Sequence, residues 1–182
     1  MIFMAAIEFE NVKIKYPNFA GREGEFNDKG ERNFNVVIED EELAETLKND
    51  GWNVKVNVPK DRDGRVIEGG KITWHLPVKV KFGNYPPTIN LVTQKGVDFK
   101  GEPVYNVRQL DEETAGLIDD VEFQRIDLVV RPYSYEERGS GKTRISAYLN
   151  EFWGLVKENK FASRYSNNND VVDAEGMLPY DM

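Results

Sequence analysis

From Lys71 to Phe82 the chain alternates strictly. Ile72, Trp74, Leu76, Val78, Val80 and Phe82 fall on one side, and Lys71, Thr73, His75, Pro77, Lys79 and Lys81 on the other. Successive side chains of a β-strand point to opposite faces, so this spacing predicts a strand with one buried side and one basic ridge. Pro77 offers no N–H to a ladder, which predicts a sheet edge or a bulge there. Trp52, Val54, Val56 and Val58 repeat the pattern, with Asn53, Lys55 and Asn57 turned outward. Near the start, Ile7 and Phe9 share one phase while Val12, Ile14 and Tyr16 share the other. That slip at Glu10-Asn11 is what a β-bulge produces, and it turns Lys13 and Lys15 outward. Further strands are predicted over 33–38, 88–93, 121–131 and 144–155. Helical signals are short. Asp40 can cap a helix over 41–49, with acids in its first turn and Gly51 just past its end; 111–118 and 158–165 are lesser candidates.

The pattern therefore predicts a mainly β chain with a few short helices. No internal repeat is visible and no linker divides residues 1–165, so they read as one domain. From Ser166 the character changes. Ser166-Asn167-Asn168-Asn169 is polar and low in complexity, and Asp170, Asp173, Glu175 and Asp181 follow without a single base. These four acids account for half of the formal net charge of −8, leaving −4 for residues 1–165. Such a segment, 166–182, reads as a disordered acidic tail. Its end, Met177-Leu178-Pro179-Tyr180-Asp181-Met182, is more apolar than solubility alone requires.

Composition narrows the chemistry. With no cysteine in 182 residues, disulfides and thiolate metal sites are excluded, which suits a reducing compartment and a cytoplasmic location. The only histidine, His75, would have to serve any imidazole-based centre; on the outward face of a strand it reads as a surface residue. No stretch approaches the roughly 20 apolar residues of a membrane span. Met1-Ile2-Phe3-Met4-Ala5-Ala6 lacks the basic start and the length of a signal peptide, and Met4 is an alternative start. No cofactor or metal is expected. In so acidic a chain, a surface for a polyanion requires the cations to be gathered on one face.

Two connections gather them. Lys60-Asp61-Arg62-Asp63-Gly64-Arg65 carries an Asp-Gly turn signal and reads as a hairpin tip. The longer one, 131–144, holds Tyr133 and Tyr135 together with Arg131, Arg138, Lys142 and Arg144. Unstacked bases pile on aromatic rings at roughly 1–3 kcal/mol each, while lysine and arginine neutralise phosphates without reading sequence. The plain alternative is a solvated hairpin whose tyrosines pack on the sheet. The outward lysines, Lys13, Lys15, Lys55, Lys71, Lys79 and Lys81, are open to the same two readings, since exposed lysines also protect sheet edges. As a set they favour binding, because acids are nearly absent from those positions. Tyr85, in the turn cluster Gly83-Asn84-Tyr85-Pro86-Pro87, reads as a packing residue. Asp119-Asp120 and Glu112-Glu113 read as solvated helix ends.

Enzymatic signals do not assemble. Gly139-Ser140-Gly141-Lys142-Thr143 mimics the end of a phosphate-binding loop, but Glu136 stands where the motif needs its first glycine, and a strand rather than a helix follows. Glu158-Asn159-Lys160 has a spacing found in metal-dependent nucleases, without a Pro-Asp partner upstream.

A resemblance brings these readings together. Phe9-Glu10-Asn11-Val12-Lys13-Ile14, Arg32-Asn33-Phe34, Asp50-Gly51-Trp52-Asn53-Val54-Lys55, Leu76-Pro77-Val78-Lys79-Val80, Val129-Val130-Arg131-Pro132-Tyr133 and Ala147-Tyr148-Leu149 resemble a group of phage single-stranded DNA-binding proteins, over residues 7–165. The resemblance implies an OB-fold-like β-barrel, closed or partly open, with long basic hairpins, that coats single strands in phage replication and recombination. Alternation alone leaves a sandwich open as well. The tail looks like the acidic, aromatic-tipped ends of such proteins, which implies partner binding through Asp170, Asp173, Glu175, Leu178, Pro179, Tyr180 and Asp181, although Asp181-Met182 follow the aromatic residue here.

The leading expectation is a non-enzymatic, sequence-independent single-strand binder of the host cytoplasm. Its partners would be single-stranded DNA, replication or recombination proteins through the tail, and a second copy in a homodimer. The alternatives are a protein-interaction module, structural or host-defence-modulating, and a metal-dependent nuclease.

Overall fold

The computed structural model describes residues 5–157. The 158–165 helix, Glu158 and Lys160 within it, and the whole 166–182 tail lie outside the described residues. Among the described residues there are nine strands: β1 (Ile7–Phe9), β2 (Lys13–Asn18), β3 (Arg32–Ile38), β4 (Lys55–Asn57), β5 (Thr73–Val80), β6 (Thr88–Val97), β7 (Pro103–Leu110), β8 (Phe123–Glu136) and β9 (Thr143–Val156). One α-helix, α1 (Glu41–Asn49), follows β3, and a 3-10 turn spans Ala115–Asp120. Among the described residues no helix is long and apolar enough to cross a membrane.

The ladder runs β1-β8-β9-β5-β3-β2. Its two ends are consecutive pieces of one segment. β1 pairs with β8 and β2 with β3, both antiparallel. Between them Asn11 takes a left-handed φ of 49°. Its N–H donates to Asp127 Oδ1 at 2.8 Å, and the Val12 N–H donates to the Ile126 carbonyl at 2.9 Å. The slip read at Glu10-Asn11 is therefore a real kink, and it bends one segment across the opening of a partly open, five-stranded OB-type barrel. No ladder joins β1 to β2 directly, so the sheet itself is not closed.

A second irregularity was not foreseen. Tyr16 has φ 53°, and the β2–β3 register shifts between Lys15 and Asn18. Tyr16 is thereby thrown outward, 76% exposed, instead of sharing the inward phase of Val12 and Ile14. The same shift drives Phe19 into the core. There it stacks on Phe34 with centroids 5.0 Å apart, while Phe152 meets both edge-on. Val56 is likewise half exposed, and all three residues of the short β4 are exposed.

Pro77 sits neither at an edge nor at a bulge. β5 is central, and its register with β3 is unbroken from Thr73's neighbour Trp74 to Val80. On the other side β5 pairs with β4 through His75 and with β9 from Val78, so Pro77 occupies the gap where no second neighbour claims an N–H. The α1 cap is as read: Asp40 Oδ1 accepts from Glu42 and Leu43 N–H, and Gly51 follows at φ 103°. The strand at 121–131 runs on to Glu136. What reads as a long connection, 131–144, is a paired ribbon of β8 and β9 in register from Arg131↔Tyr148 to Glu136↔Thr143, turned only at its tip. β7 escaped the alternation pattern because every residue of it except Leu110 is exposed, so it carries no alternating buried phase. β8 and β9 also share a bulge: Val129 faces Glu151 and Val130 faces Leu149, leaving Asn150 unmatched.

Asp119 is not a solvated end. Its carboxylate accepts the N–H of Phe19 at 2.7 Å and of Ala20 at 3.0 Å, fixing the chain that delivers Phe19 to the core. Asp119→Ala strands both amides and is expected to cost about 1–3 kcal/mol, read as a lower urea midpoint at unchanged slope. A midpoint equal to that of the parent protein would mean that water satisfies these amides equally well.

Candidate nucleic-acid interface

In a sheet, residues facing each other across a ladder share a face, so register alone assembles the surface. One row runs Lys13–Val37–His75–Lys55 across β2, β3, β5 and β4. A second holds Lys15, Asn35 and Pro77. A third runs Asn33–Lys79–Tyr148–Arg131 across β3, β5, β9 and β8. The ribbon continues the face with Ser146–Tyr133 and Arg144–Tyr135. No aspartate or glutamate stands in these rows. The next row along β8 and β9 is different: Glu8–Val129–Glu151.

Tyr148, which the sequence reading left out of the site, is its centre. Tyr133 stacks on it at 5.4 Å and 21°. Lys79 Nζ lies 6.0 Å, Lys81 Nζ 5.8 Å and Arg131 Cζ 5.6 Å from its ring centroid, within the reach of cation–π attraction. Arg131 is also over the ring of Tyr85 at 5.5 Å and donates to its carbonyl at 3.2 Å. Tyr85 is thus an exposed ring attached to the cluster rather than a packing residue. Tyr148 alternates with Ile145, Ala147 and Leu149 in the sequence, but only the pairing of β5 with β9 shows that it joins Lys79.

Beside the cluster a groove of about 300 Å³ opens over β3 and β5, lined by Phe26, Asn33, Asn35, Lys55, Pro77 and Lys79. Phe26 is 89% exposed. Its loop is tied down by Asn33 Nδ2 donating to Asn27 Oδ1 at 2.7 Å and by Gly30 N–H donating to the Gly21 carbonyl at 2.8 Å. No period marks a loop phenylalanine, so Phe26 was invisible in sequence.

Not every expected cation joins. Lys71 is outside the strand and pairs with Glu39 at 3.3 Å. Arg62 and Arg65 are exposed on the hairpin closed by the Lys60–Val66 bridge, beyond the β4–β5 ladder, and contact none of these rings. At the ribbon tip Arg144 pairs with Glu137 at 3.1 Å, while Arg138 and Lys142 are exposed beside it.

An open, cation-lined aromatic face on an OB-type barrel defines a binding domain for an extended, stacking polyanion. The sequence matches, over residues 2–179, the model of a family described as "Putative phage ssDNA-binding domain", and the chain belongs to that family. No curated protein matches it. Among solved structures it is similar to the single-stranded DNA-binding protein of bacteriophage Enc34 in complex with ssDNA, at 14% identity and a TM-score of 0.42, covering 86% of this chain and 89% of that one. It is also similar to gp2.5, a single-stranded DNA-binding protein of bacteriophage T7, at 10% identity and a TM-score of 0.37, covering 90% and 94%.

His75 reports on the electrostatics of this face. Partial burial, then Lys55 and Lys15, lower its pKa below the usual 6.5. The folded protein therefore resists a proton that the unfolded chain accepts, so His75 contributes a loss of stability as pH falls below about 6.5. Lys55→Gln is expected to move the His75 pKa upward in an NMR titration. An unmoved pKa would mean that the lysine's charge does not reach the imidazole.

Proposed function

We propose that the chain binds single-stranded DNA without regard to sequence, laying it over the outward face of β3, β5, β9 and β8 in the cytoplasm of the host cell. The observation that carries this is the Tyr148 cluster: stacked tyrosines held among Lys79, Lys81 and Arg131, in rows without a carboxylate. Tyr133, 54% exposed, offers an open ring to a base, and Phe26 and Tyr85 offer two more. The cations neutralise phosphates as they pass. Lys13, Lys15, Lys55, Tyr135, Arg138, Lys142 and Arg144 extend the path, and Arg62, Arg65 and Lys71 act only if the strand continues past β4.

Residues 166–182 serve as the rival ligand and as the docking segment for replication or recombination proteins. An acidic segment tethered in the same chain competes with DNA as an intramolecular anion at high effective concentration.

Two measurements test these roles. Tyr133→Ala is expected to weaken binding of oligothymidine by about five- to hundredfold while Tyr133→Phe keeps it, since a stacked base contributes roughly 1–3 kcal/mol. Equal binding by all three proteins would sink the stacking face. Deleting 166–182 is expected to tighten single-strand binding most at low salt, because screening weakens the competing tail as well. Unchanged affinity across a salt series would remove the tail from DNA competition.

A further inference from the structure

The hairpin of β6 and β7 stands off the barrel. Only its base is anchored, with Thr88–Val92 paired to Glu151–Leu155 of β9, and β7 pairs with β6 alone. Every residue from Thr93 to Gln109 is exposed. A two-stranded hairpin bare on both faces is marginal by itself, and apolar side chains carried out on such an arm mark a contact surface. Its tip is ordered all the same. Asp98 Oδ1 accepts the N–H of Lys100 at 2.8 Å and of Glu102 at 2.9 Å, and Gly101 takes φ 81°. This turn holds Phe99 outward at 93% exposure, with Lys100 Nζ 5.6 Å from its ring.

Elsewhere the molecule carries a matching cleft. Between the Asn11 kink and α1 an opening of about 220 Å³ is lined by Phe9, Val12, Ile38 and Leu43, with Lys13, Glu39 and Asp40 beside them. The aromatic ring of the arm meets apolar walls in the cleft, and the lysine that follows it meets a rim holding Glu39 and Asp40 along with Lys13. We propose that the Phe99 tip of one copy seats in this cleft of the next, with Lys100 joining Lys71 at the Glu39 carboxylate. Tip and cleft are different surfaces, so the contact is head-to-tail, leaves one of each free at the ends, and propagates in line. Resting on the single-strand reading above, this gives neighbouring copies on one strand a direct contact.

The chain has no cysteine, so Phe99→Cys with Leu43→Cys introduces one defined pair. Disulfides need Cα atoms within about 7 Å. Oxidation on long oligothymidine is expected to give a ladder of covalent multimers; monomer alone, or a link within one chain, overturns the proposal. In parallel, Phe99→Asp is expected to lower apparent affinity for long single strands about tenfold while leaving an oligonucleotide that holds one copy bound as before. Equal loss on both lengths would make Phe99 a DNA contact and overturn the inter-copy role. The two readings fail separately. If the parent protein binds no oligonucleotide, the single-strand reading falls, and cross-linking of the cysteine pair at high protein concentration without DNA still decides the contact.

Discussion

The kink at Asn11 is the constraint on which the rest depends. A single segment must pair with β8 through Ile7–Phe9 and with β3 through Lys13–Lys15, at opposite ends of the sheet. Only a local left-handed residue lets it turn, and Asn tolerates that conformation better than most residues. Asp127 holds the bend from the β8 side while also pairing with Arg125 at 3.1 Å. With both ends of the ladder tied to one segment, the sheet curls, its apolar phases face inward, and the outward phases of five strands form one surface.

That curling separates charge in an acidic protein. The rows from Lys13 to Arg131 carry cations, amides and rings, while Glu8 and Glu151 fall just beyond, and Glu39, Glu41 and Glu42 stand around α1. The net negative charge and the basic face coexist because strand phase assigns each side chain a side. Salt should therefore tune access to the face far more than it tunes the fold, whose core is apolar and aromatic.

Much of this was legible because period 2 is a local signal. The strand around Leu76, the α1 cap at Asp40, the slip at Asn11 and the outward set of Lys15, Lys55 and Lys79 all follow from neighbours in sequence, and the family resemblance supplied the barrel. What escaped was long-range. Tyr148 became central only through the pairing of β9 with β5. Asp119 gained its role from amides about a hundred residues away. Phe26 sits on a loop with no periodicity, and β7 has no buried face to betray it. Pro77 misled because its edge rule assumes two continuous neighbours, and β5 has a gap on one side.

The unmatched Asn150 has a consequence for direction. By slipping β9 against β8 it brings Glu151 into the outward phase beside Val129, with Trp153 next, so the cationic rows stop abruptly. One surplus residue thus draws a kerb between cationic and acidic rows, a border at which any polyanion laid on the face would meet repulsion, as well as bending the sheet.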